Sequence, residues 1–306
     1  ARRLHRRHGI GLVIVDYLQL LQQARWKGDP RLDRTGVGTH AIFGAMLKCD
    51  LTKEAPILTT KRVYWKTAVK EMLWFLTGDT NIRKLLEANV TIWSEWPHKH
   101  YVESTGDKID LNEFEQRVLG DDDFAARWGE LGPVYGKQWR AWQGPDGQIH
   151  DQIGAVIEQL RNNPASRRIL FHGWNVPELG AMALPPCHLL YQYQVTSDGR
   201  LNSVMYQRSV DTLLGLPFNL VGQTALTLML ADQAGLSPGE LTWFGGDVHV
   251  YTNHFEQVAE QCAREPRPLP QMRLNRHTES IDDYTIEDFE VIGYDPHPAI
   301  KADVAV

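Results

Sequence analysis

A cysteine preceded by two prolines is the leading candidate for a nucleophile. Cys187 follows Pro185 and Pro186 in ALPPCH, and proline makes a mid-helix position unfavourable for this thiol. A rigid approach of this kind suits a residue that attacks a bound substrate. Arg208 ends a predicted strand that should pair with the strand after Cys187, where its guanidinium could lower the pKa of the thiol. The alternative is a buried structural cysteine.

Several arginines could together bind a phosphate group. Arg34 lies in a glycine-rich loop, Arg167 and Arg168 follow a predicted helix, and Arg208 precedes Ser209. Arginine makes bidentate hydrogen bonds to phosphate oxygens, so a cluster would suit a small phosphorylated ligand. For each arginine alone, the alternative is a surface ion pair.

An amide and a carboxyl group could recognise a base and move a proton. Asn219, which follows LPF, can donate and accept hydrogen bonds at once, as the edge of a uracil ring requires. Its alternative role is a helix N-cap. Glu71 lies beside the apolar run MLWFL, and apolar surroundings would raise the pKa of its carboxyl group towards neutrality. A solvated helix position is the competing interpretation.

The remaining candidates depend on where the fold places them. His249 and Tyr251 alternate along a predicted strand and share one face, which could bind a sugar hydroxyl or be an ordinary half-exposed surface. Taken singly, Trp93 and Tyr135 are typical of core aromatic residues, and Asp211 is typical of a turn or cap. The sequence has no HxxxH or CxxC spacing, so we expect no metal site.

The elements that must position these residues indicate an α+β fold. Helical spacing predicts helices over 16–26, 67–76, 151–161 and 219–234. β-rich runs predict strands over 168–174, 189–195 and 201–207, the last two joined as a hairpin. The polar segment from Lys99 to Asp123 predicts a surface insertion with a short helical excursion. Strands and helices do not alternate strictly, so we expect a single domain with a mixed, twisted sheet and surrounding helices.

Composition excludes several classes of protein. The 306 residues are 42% hydrophobic and 23% charged, as in ordinary globular proteins and unlike disordered, collagenous or coiled-coil chains. The net charge of −6 argues against bulk nucleic-acid binding, so no DNA binding is expected. We expect no membrane association, because no apolar run approaches the roughly 18 residues of a membrane span. Three cysteines favour a reduced, cytoplasmic setting over a disulfide framework.

Long motifs from about residue 17 to residue 306 resemble those of the thymidylate synthase family, in family order. They are DRTGVGT, TTKR, LLEANVTIWSEW, GPVYGKQWRAW, SRRI, ALPPCH, YQRSVD, LPFN, GGDVHVY, REPRPLP and GYDPHPAIKADVAV. The resemblance implies covalent catalysis followed by one-carbon transfer. Cys187 would attack C6 of dUMP, and C5 would accept a one-carbon unit from methylenetetrahydrofolate, giving dTMP and dihydrofolate.

The resemblance also implies roles for the other candidates. Glu71 and Tyr135 would manage protons through ordered water, and Arg208, Asp211 and Asn219 complete the implied catalytic set. The phosphate of dUMP would contact Arg34, Arg208 and Ser209, with Arg167 and Arg168 contributed across a homodimer interface built on one face of the sheet. Asn219 would read the uracil edge, and His249 with Tyr251 the ribose hydroxyl. The folate would contact Trp93, Asp211, Gly215 and Phe218, and the C-terminal residues to Val306 would close over it.

Departures from the family pattern leave alternatives open. Gly222 and Gln223 stand where the family usually has Ser-Tyr, and His172-Gly173 where it usually has Ser-Ala or Cys-Ala. These changes could admit a water that replaces hydride in the last step. The first alternative is therefore a dUMP hydroxymethylase that leaves tetrahydrofolate, which would suggest a virus that modifies its DNA and a location in the host cytoplasm. The second is an inactive nucleotide- or RNA-binding module.

The start of the chain resembles something else. Residues 1–15 are predicted to be an extension, with the synthase-like domain over 16–306. Arg2 to Leu21 is similar to the Walker B region of replicative helicases, as a fused remnant or by chance. Since no GxxxxGK[ST] motif occurs, ATP hydrolysis is not expected.

Overall fold

The computed structural model describes residues 12–33 and 35–304. The helices are α1 (Leu12–Lys27), α2 (Trp65–Leu76), α3 (Arg83–Glu87), α4 (Glu95–Thr105), α5 (Leu111–Gly120), α6 (Asp122–Trp128), α7 (Tyr135–Arg140), α8 (Gln152–Asn162), α9 (Gly215–Gln233) and α10 (Phe255–Ala263). The strands are β1 (Asp29–Arg31), β2 (Thr39–Asp50), β3 (Trp142–Gln143), β4 (Ile149–His150), β5 (Leu170–His172), β6 (His188–Val195), β7 (Arg200–Asp211), β8 (Ser237–Tyr251), β9 (Gln271–Leu274) and β10 (Phe289–Ile292). Short 3₁₀ segments cover Val176–Ala181, Thr252–His254, Ile281–Asp283 and Ile286–Asp288.

A six-stranded sheet in the order β1-β2-β8-β7-β6-β5 organises the molecule. Strands β7 and β8 are parallel and the other neighbours antiparallel, so the sheet is mixed, as the sequence predicts. Alternate residues of each strand face opposite sides. On one side Leu201, Met205 and Trp243 are buried in the core, which α9 also enters. The predicted α+β class is therefore confirmed.

Helix α9 begins four residues earlier than the sequence predicts. Pro217 lies in the first turn, where a missing N–H costs no helical hydrogen bond. Because the helix begins at Gly215, Asn219 lies inside it, and the alternative role of Asn219 as an N-cap is wrong. Within the described part of the chain, no helix is long and apolar enough to cross a membrane.

The segment predicted to be a surface insertion with a short helical excursion is helical over most of its length. It forms α4, α5 and the start of α6, and Tyr101, Phe114 and Val118 are buried there. Asp110 and Asp121 cap α5 and α6 by accepting hydrogen bonds from backbone N–H groups. The helical excursion is therefore confirmed but is longer than predicted, because a few well-spaced apolar residues bury one face of an otherwise polar sequence.

The other predicted elements are confirmed with shifted ends. Helix α1 runs through the predicted boundary between the extension (residues 1–15) and the synthase-like domain (residues 16–306). That domain boundary stays a prediction. Residues 1–11, which carry half of the helicase-like segment, lie outside the described residues. The predicted hairpin pairs β6 with β7 through a turn in which Gly199 has a φ of +78°, in the left-handed region that glycine tolerates.

Candidate active site

The hairpin places Cys187 opposite Arg208, as the sequence predicts. Cys187 immediately precedes β6 and is half-buried. The backbone N–H of Arg208 donates to the carbonyl oxygen of Cys187 at 2.8 Å. Strand β7 continues to Asp211, so Arg208 is not its last residue. Gly173 lies against the proline before the thiol, since a Cβ there would come within 3.2 Å of Pro186 Cγ.

The Arg208 guanidinium is fixed beside the thiol by backbone carbonyls. Its Nε donates to Pro186 and its Nη2 to Pro185, both at 2.8 Å. Nη2 also lies 3.9 Å from Cys187 Sγ, and the guanidinium carbon lies 5.3 Å from the centre of the Trp174 ring. The two prolines therefore restrict the backbone and also supply the acceptors that orient the cation.

Tyr135 and His188 form the buried side of the cysteine's surroundings. Tyr135 Oη accepts a hydrogen bond from the Cys187 backbone N–H at 2.8 Å, and its ring stacks on His188 at 4.3 Å. Burial raises the pKa of Tyr135 well above its ordinary value and lowers the pKa of His188 to about 3. His188 is therefore neutral near pH 7, and Arg208 supplies the positive charge beside the thiol.

Glu71 is placed on α2 against the indole of Trp93. Trp93 Nε1 donates to Glu71 Oε1 at 2.7 Å, and the Trp93 ring lies 5.9 Å from that of Tyr135. Loss of hydration raises the pKa of Glu71 to about 7, against the opposing effect of the Trp93 hydrogen bond. The carboxyl group can consequently take up and release a proton near neutrality.

This pKa predicts how stability depends on pH. From the ordinary value of 4.5 up to about 7, folded Glu71 holds a proton that the unfolded chain has released. Its stabilising contribution is therefore complete below the unfolded pKa and is lost as the pH rises to about 7, by up to about 3 kcal/mol. Because Glu71→Gln cannot titrate, its unfolding free energy in urea should fall less between about pH 5 and pH 8. An equal fall in both proteins would contradict this.

The orientation of the Asn219 amide is set by two residues that the sequence analysis did not single out. Trp243 Nε1 donates to Gln207 Oε1 at 2.9 Å, and Gln207 Nε2 donates to Asn219 Oδ1 at 2.7 Å. An indole N–H can only donate, so it dictates which end of Gln207 meets Asn219. The only feature of the sequence that could have pointed to these two residues is the position of Gln207 within the motif YQRSVD.

Asp211 and Gly215 lie close to Asn219. A Cβ built at Gly215 would be 3.8 Å from Asn219 Oδ1 and 3.9 Å from Asp211 Cβ. Asp211 Oδ1 accepts from the Leu213 backbone N–H at 2.8 Å. The sequence analysis missed Lys61, whose buried ammonium donates to the Leu213 carbonyl. Burial lowers the pKa of Lys61 to about 8, while the charge of Asp211 opposes this.

His249 and Tyr251 share one face of β8, as predicted, with ring centroids 5.2 Å apart. His249 is level with Asp211 of the parallel strand β7. His249 Nδ1 donates to Asp247 Oδ1 at 2.8 Å, and this hydrogen bond lowers the pKa of Asp247. Ser209 is half-buried and level with Asp247. These contacts extend the polar surface from Asn219 along two neighbouring strands.

Not all of the predicted phosphate ligands meet within one chain. Arg167 and Arg168 are exposed just before β5, and Gln192 Nε2 lies 3.4 Å from the carbonyl oxygen of Arg167. Gln192 is five residues along β6 from Cys187, or roughly 17 Å at the usual strand rise. Arg34 lies outside the described residues.

Of the predicted folate contacts Phe218 and Val306, only Phe218 lies within the described residues. Phe218 is half-buried and packs against the core next to Asn219. Val306 lies outside the described residues. The chain nearby does reach the candidate site, because His254 Nε2 contacts the Asp303 carbonyl at 2.7 Å and its ring lies 5.6 Å from Tyr251.

The unusual pair Gly222-Gln223 lies in the packed layer between α9 and its neighbours. Gln223 is fully buried, and its Nε2 donates to the Thr242 carbonyl at 3.1 Å. A Cβ at Gly222 would come within 3.2 Å of Met72 Cε. Gln223 Oε1 has no hydrogen-bond partner among the described residues.

Comparisons with known proteins show which family the chain belongs to. The family model described as Thymidylate synthase matches residues 15–306. A protein named thymidylate synthase from Cereibacter sphaeroides is 68% identical over 95% of this chain and 98% of its own. Relatives of the same name from Rhodopseudomonas palustris and Zymomonas mobilis are 65% and 62% identical, again over 95% of this chain and 98% of their own. The chain therefore belongs to the thymidylate synthase family.

Proposed function

We propose that this protein is a thymidylate synthase, which transfers a one-carbon unit from methylenetetrahydrofolate to C5 of dUMP and releases dTMP and dihydrofolate. Its relatives carry that name at up to 68% identity over nearly the whole chain. The observation that carries the proposal is the Arg208 guanidinium 3.9 Å from Cys187 Sγ, next to the strand residue that orients the Asn219 amide.

Cys187 is the nucleophile in this mechanism. Its sulfur forms a bond to C6 of dUMP, and the electron pair of the C5–C6 double bond is displaced towards C5 and the C4 carbonyl. The adjacent Arg208 favours the thiolate by its charge. The fixed lead-in from Pro185 and Pro186 holds the sulfur in position for attack.

Asn219 distinguishes uracil from cytosine. Its amide can donate to the C4 carbonyl and accept from the ring N–H of uracil. The hydrogen bonds from Trp243 through Gln207 restrict how the amide is turned. A cytosine ring presents an amino group and a bare ring nitrogen at the same positions, so its donors and acceptors would face the wrong partners.

Glu71 and Tyr135 handle protons. After C5 has accepted the one-carbon unit, its proton must leave, and a carboxyl group with a pKa of about 7 can relay it through water. Tyr135 lies between Glu71 and Cys187, because its ring is close to Trp93 and its hydroxyl is bonded to the Cys187 backbone. The raised pKa of Tyr135 keeps that hydroxyl protonated.

The residues near Asp211 suit the folate cosubstrate. Trp93 offers an aromatic surface, Asp211 an acceptor for ring N–H groups, and Gly215 a backbone without a side chain between Asp211 and Asn219. Phe218 adds an apolar side chain nearby. Bound folate supplies the one-carbon unit and the hydride, while these side chains hold it against dUMP and exclude water.

A homodimer would complete the phosphate site. On the open face of the sheet, Met46, Phe244, Tyr206 and Leu190 are paired in register across four strands. Phe244 and Tyr206 are more than a third exposed in the single chain. Burial of this row of apolar side chains against a second copy would stabilise a dimer. Arg167 and Arg168, remote from Cys187 in their own chain, would then contribute to the site of the other copy.

A product assay tests the proposed function. The protein is incubated with dUMP and methylenetetrahydrofolate while dihydrofolate is followed by absorbance and the nucleotide product by mass. We expect dihydrofolate and a methylated nucleotide in equal amounts. A hydroxymethylated product without dihydrofolate would instead establish the hydroxymethylase. Bound dUMP without any product would establish the inactive binding module.

A further inference from the structure

A cavity of about 640 Å³ lies outside the candidate active site. None of the candidate active-site residues lines it. Ligand sites in proteins usually have volumes of a few hundred to a thousand Å³. The lining combines side chains from α2, α3, the end of α7 and the Ile281–Asp283 segment. The cavity is therefore large enough for a small organic molecule.

One stripe of α2 forms a wall of this cavity. Lys70, Leu73 and Trp74 are spaced i, i+3 and i+4 and share a face of α2, and Thr77 caps the helix on the same side. All four line the cavity. Glu71 does not line it and points instead towards Trp93. The same helix thus presents one stripe to the candidate active site and a different stripe to the cavity.

One of the three cationic side chains in the lining, Lys70, has no carboxylate partner in the described part of the chain. Lys70, Lys84 and Arg140 line the cavity. Lys84 pairs with Asp79 at 2.8 Å, and Arg140 pairs with Asp282 at 2.5 Å and with Asp151 at 3.2 Å. Lys70 Nζ donates to the Ala88 carbonyl at 2.7 Å, and no carboxylate pairs with it in residues 12–33 and 35–304. The uncompensated charge of Lys70 favours an anionic occupant.

A buried indole N–H in the wall is without an acceptor. Trp74 is only 4% exposed, and its Nε1 has no hydrogen-bond partner among the described residues. Leaving a buried donor unsatisfied is costly. Leu73, Leu76, Leu85 and Ile281 supply apolar surface around it. An aromatic ligand with an anionic acceptor group would match all of these features.

We propose that this cavity is a second ligand site, which binds a small aromatic anion such as an aryl sulfonate or aryl carboxylate independently of dUMP. The aromatic part packs on the apolar wall, and the acidic group faces Lys70 and Lys84 and accepts from Trp74 Nε1. No covalent step is involved.

The test uses 1-anilinonaphthalene-8-sulfonate as the probe, titrated by fluorescence into the full chain with dUMP in excess. We expect saturable binding of one probe per chain. Lys70→Glu and Lys84→Glu should each weaken it about tenfold, because each reverses a charge near the sulfonate. Trp74→Phe keeps an aromatic ring but removes the indole N–H donor, and should weaken binding about fivefold.

Lys108→Glu is the matched control, since it makes the same charge change at an exposed position outside the cavity lining. This variant should bind the probe as tightly as the parent protein does. Lys84 has a side chain that is 62% exposed, so its variant should fold normally even if a Lys70 variant does not. Absence of saturable binding, displacement of the probe by dUMP, or unchanged affinity in Lys84→Glu would overturn the proposal. Because fluorescence does not require turnover, these outcomes are separate from those of the product assay.

Discussion

Replacing Cys187 by serine should lower turnover of dUMP by at least about a thousandfold, because a hydroxyl is a far weaker nucleophile than a thiolate. The change exchanges one atom in a half-buried side chain, and the predicted base and phosphate contacts come from Asn219 and Arg208. Binding of dUMP should therefore be retained. Steady-state kinetics and calorimetric titration with dUMP measure the two quantities.

The matched control is Cys262→Ser, which makes the same exchange at another half-buried cysteine. Burial raises the pKa of the Cys262 thiol. It should keep the parent rate. A substantial rate in Cys187→Ser would exclude covalent catalysis by this sulfur. If the variant instead loses dUMP binding along with turnover, Cys187 has a structural role that the mechanism does not include.

Two inactive variants should restore activity to each other when they are mixed. One carries Cys187→Ser, and the other carries Arg167→Ala together with Arg168→Ala. If each site takes its cysteine from one chain and these arginines from the other, a mixed dimer has one site with every residue intact. Random re-association makes half of the dimers mixed, so about a quarter of the parent activity should return.

The physical reason is the placement of the arginines. Within one chain they lie near Gln192, well along β6 from Cys187, where they cannot reach the same phosphate as Arg208. Activity is measured after the chains are separated in mild denaturant and re-associated. As a control, Cys187→Ser is mixed with a chain carrying all three substitutions, which leaves no intact site. No recovery in the test mixture would show that the arginines do not act across an interface.

The amino-acid pattern predicted those elements whose signals are local. The spacing of Ile153, Val156, Ile157 and Leu160 predicted α8, and all four are buried. The alternation and turn residues predicted the hairpin of β6 and β7. The segment from Lys99 to Asp123 was predicted less well, because its few buried residues are outnumbered by charged ones and depend on contacts with one another.

The sequence also placed part of the candidate site correctly. A hairpin of known register brings the residue before one strand opposite a residue near the end of the other, so the proximity of Cys187 and Arg208 could be predicted. The shared face of His249 and Tyr251 follows from the period of a strand. Both inferences use local geometry that one or two neighbouring strands determine.

By itself, the sequence determined the family and the kind of sheet and predicted which groups react, because these depend on residue types and short spacings. Only the tertiary structure decided that Trp93 is the partner of Glu71, that Trp243 and Gln207 orient Asn219, and that the buried Lys61 is near Asp211. These pairs join residues that are distant along the chain. A side chain's pKa and the direction of an amide depend on every neighbour that excludes water or donates a proton, and those neighbours are brought together only by packing.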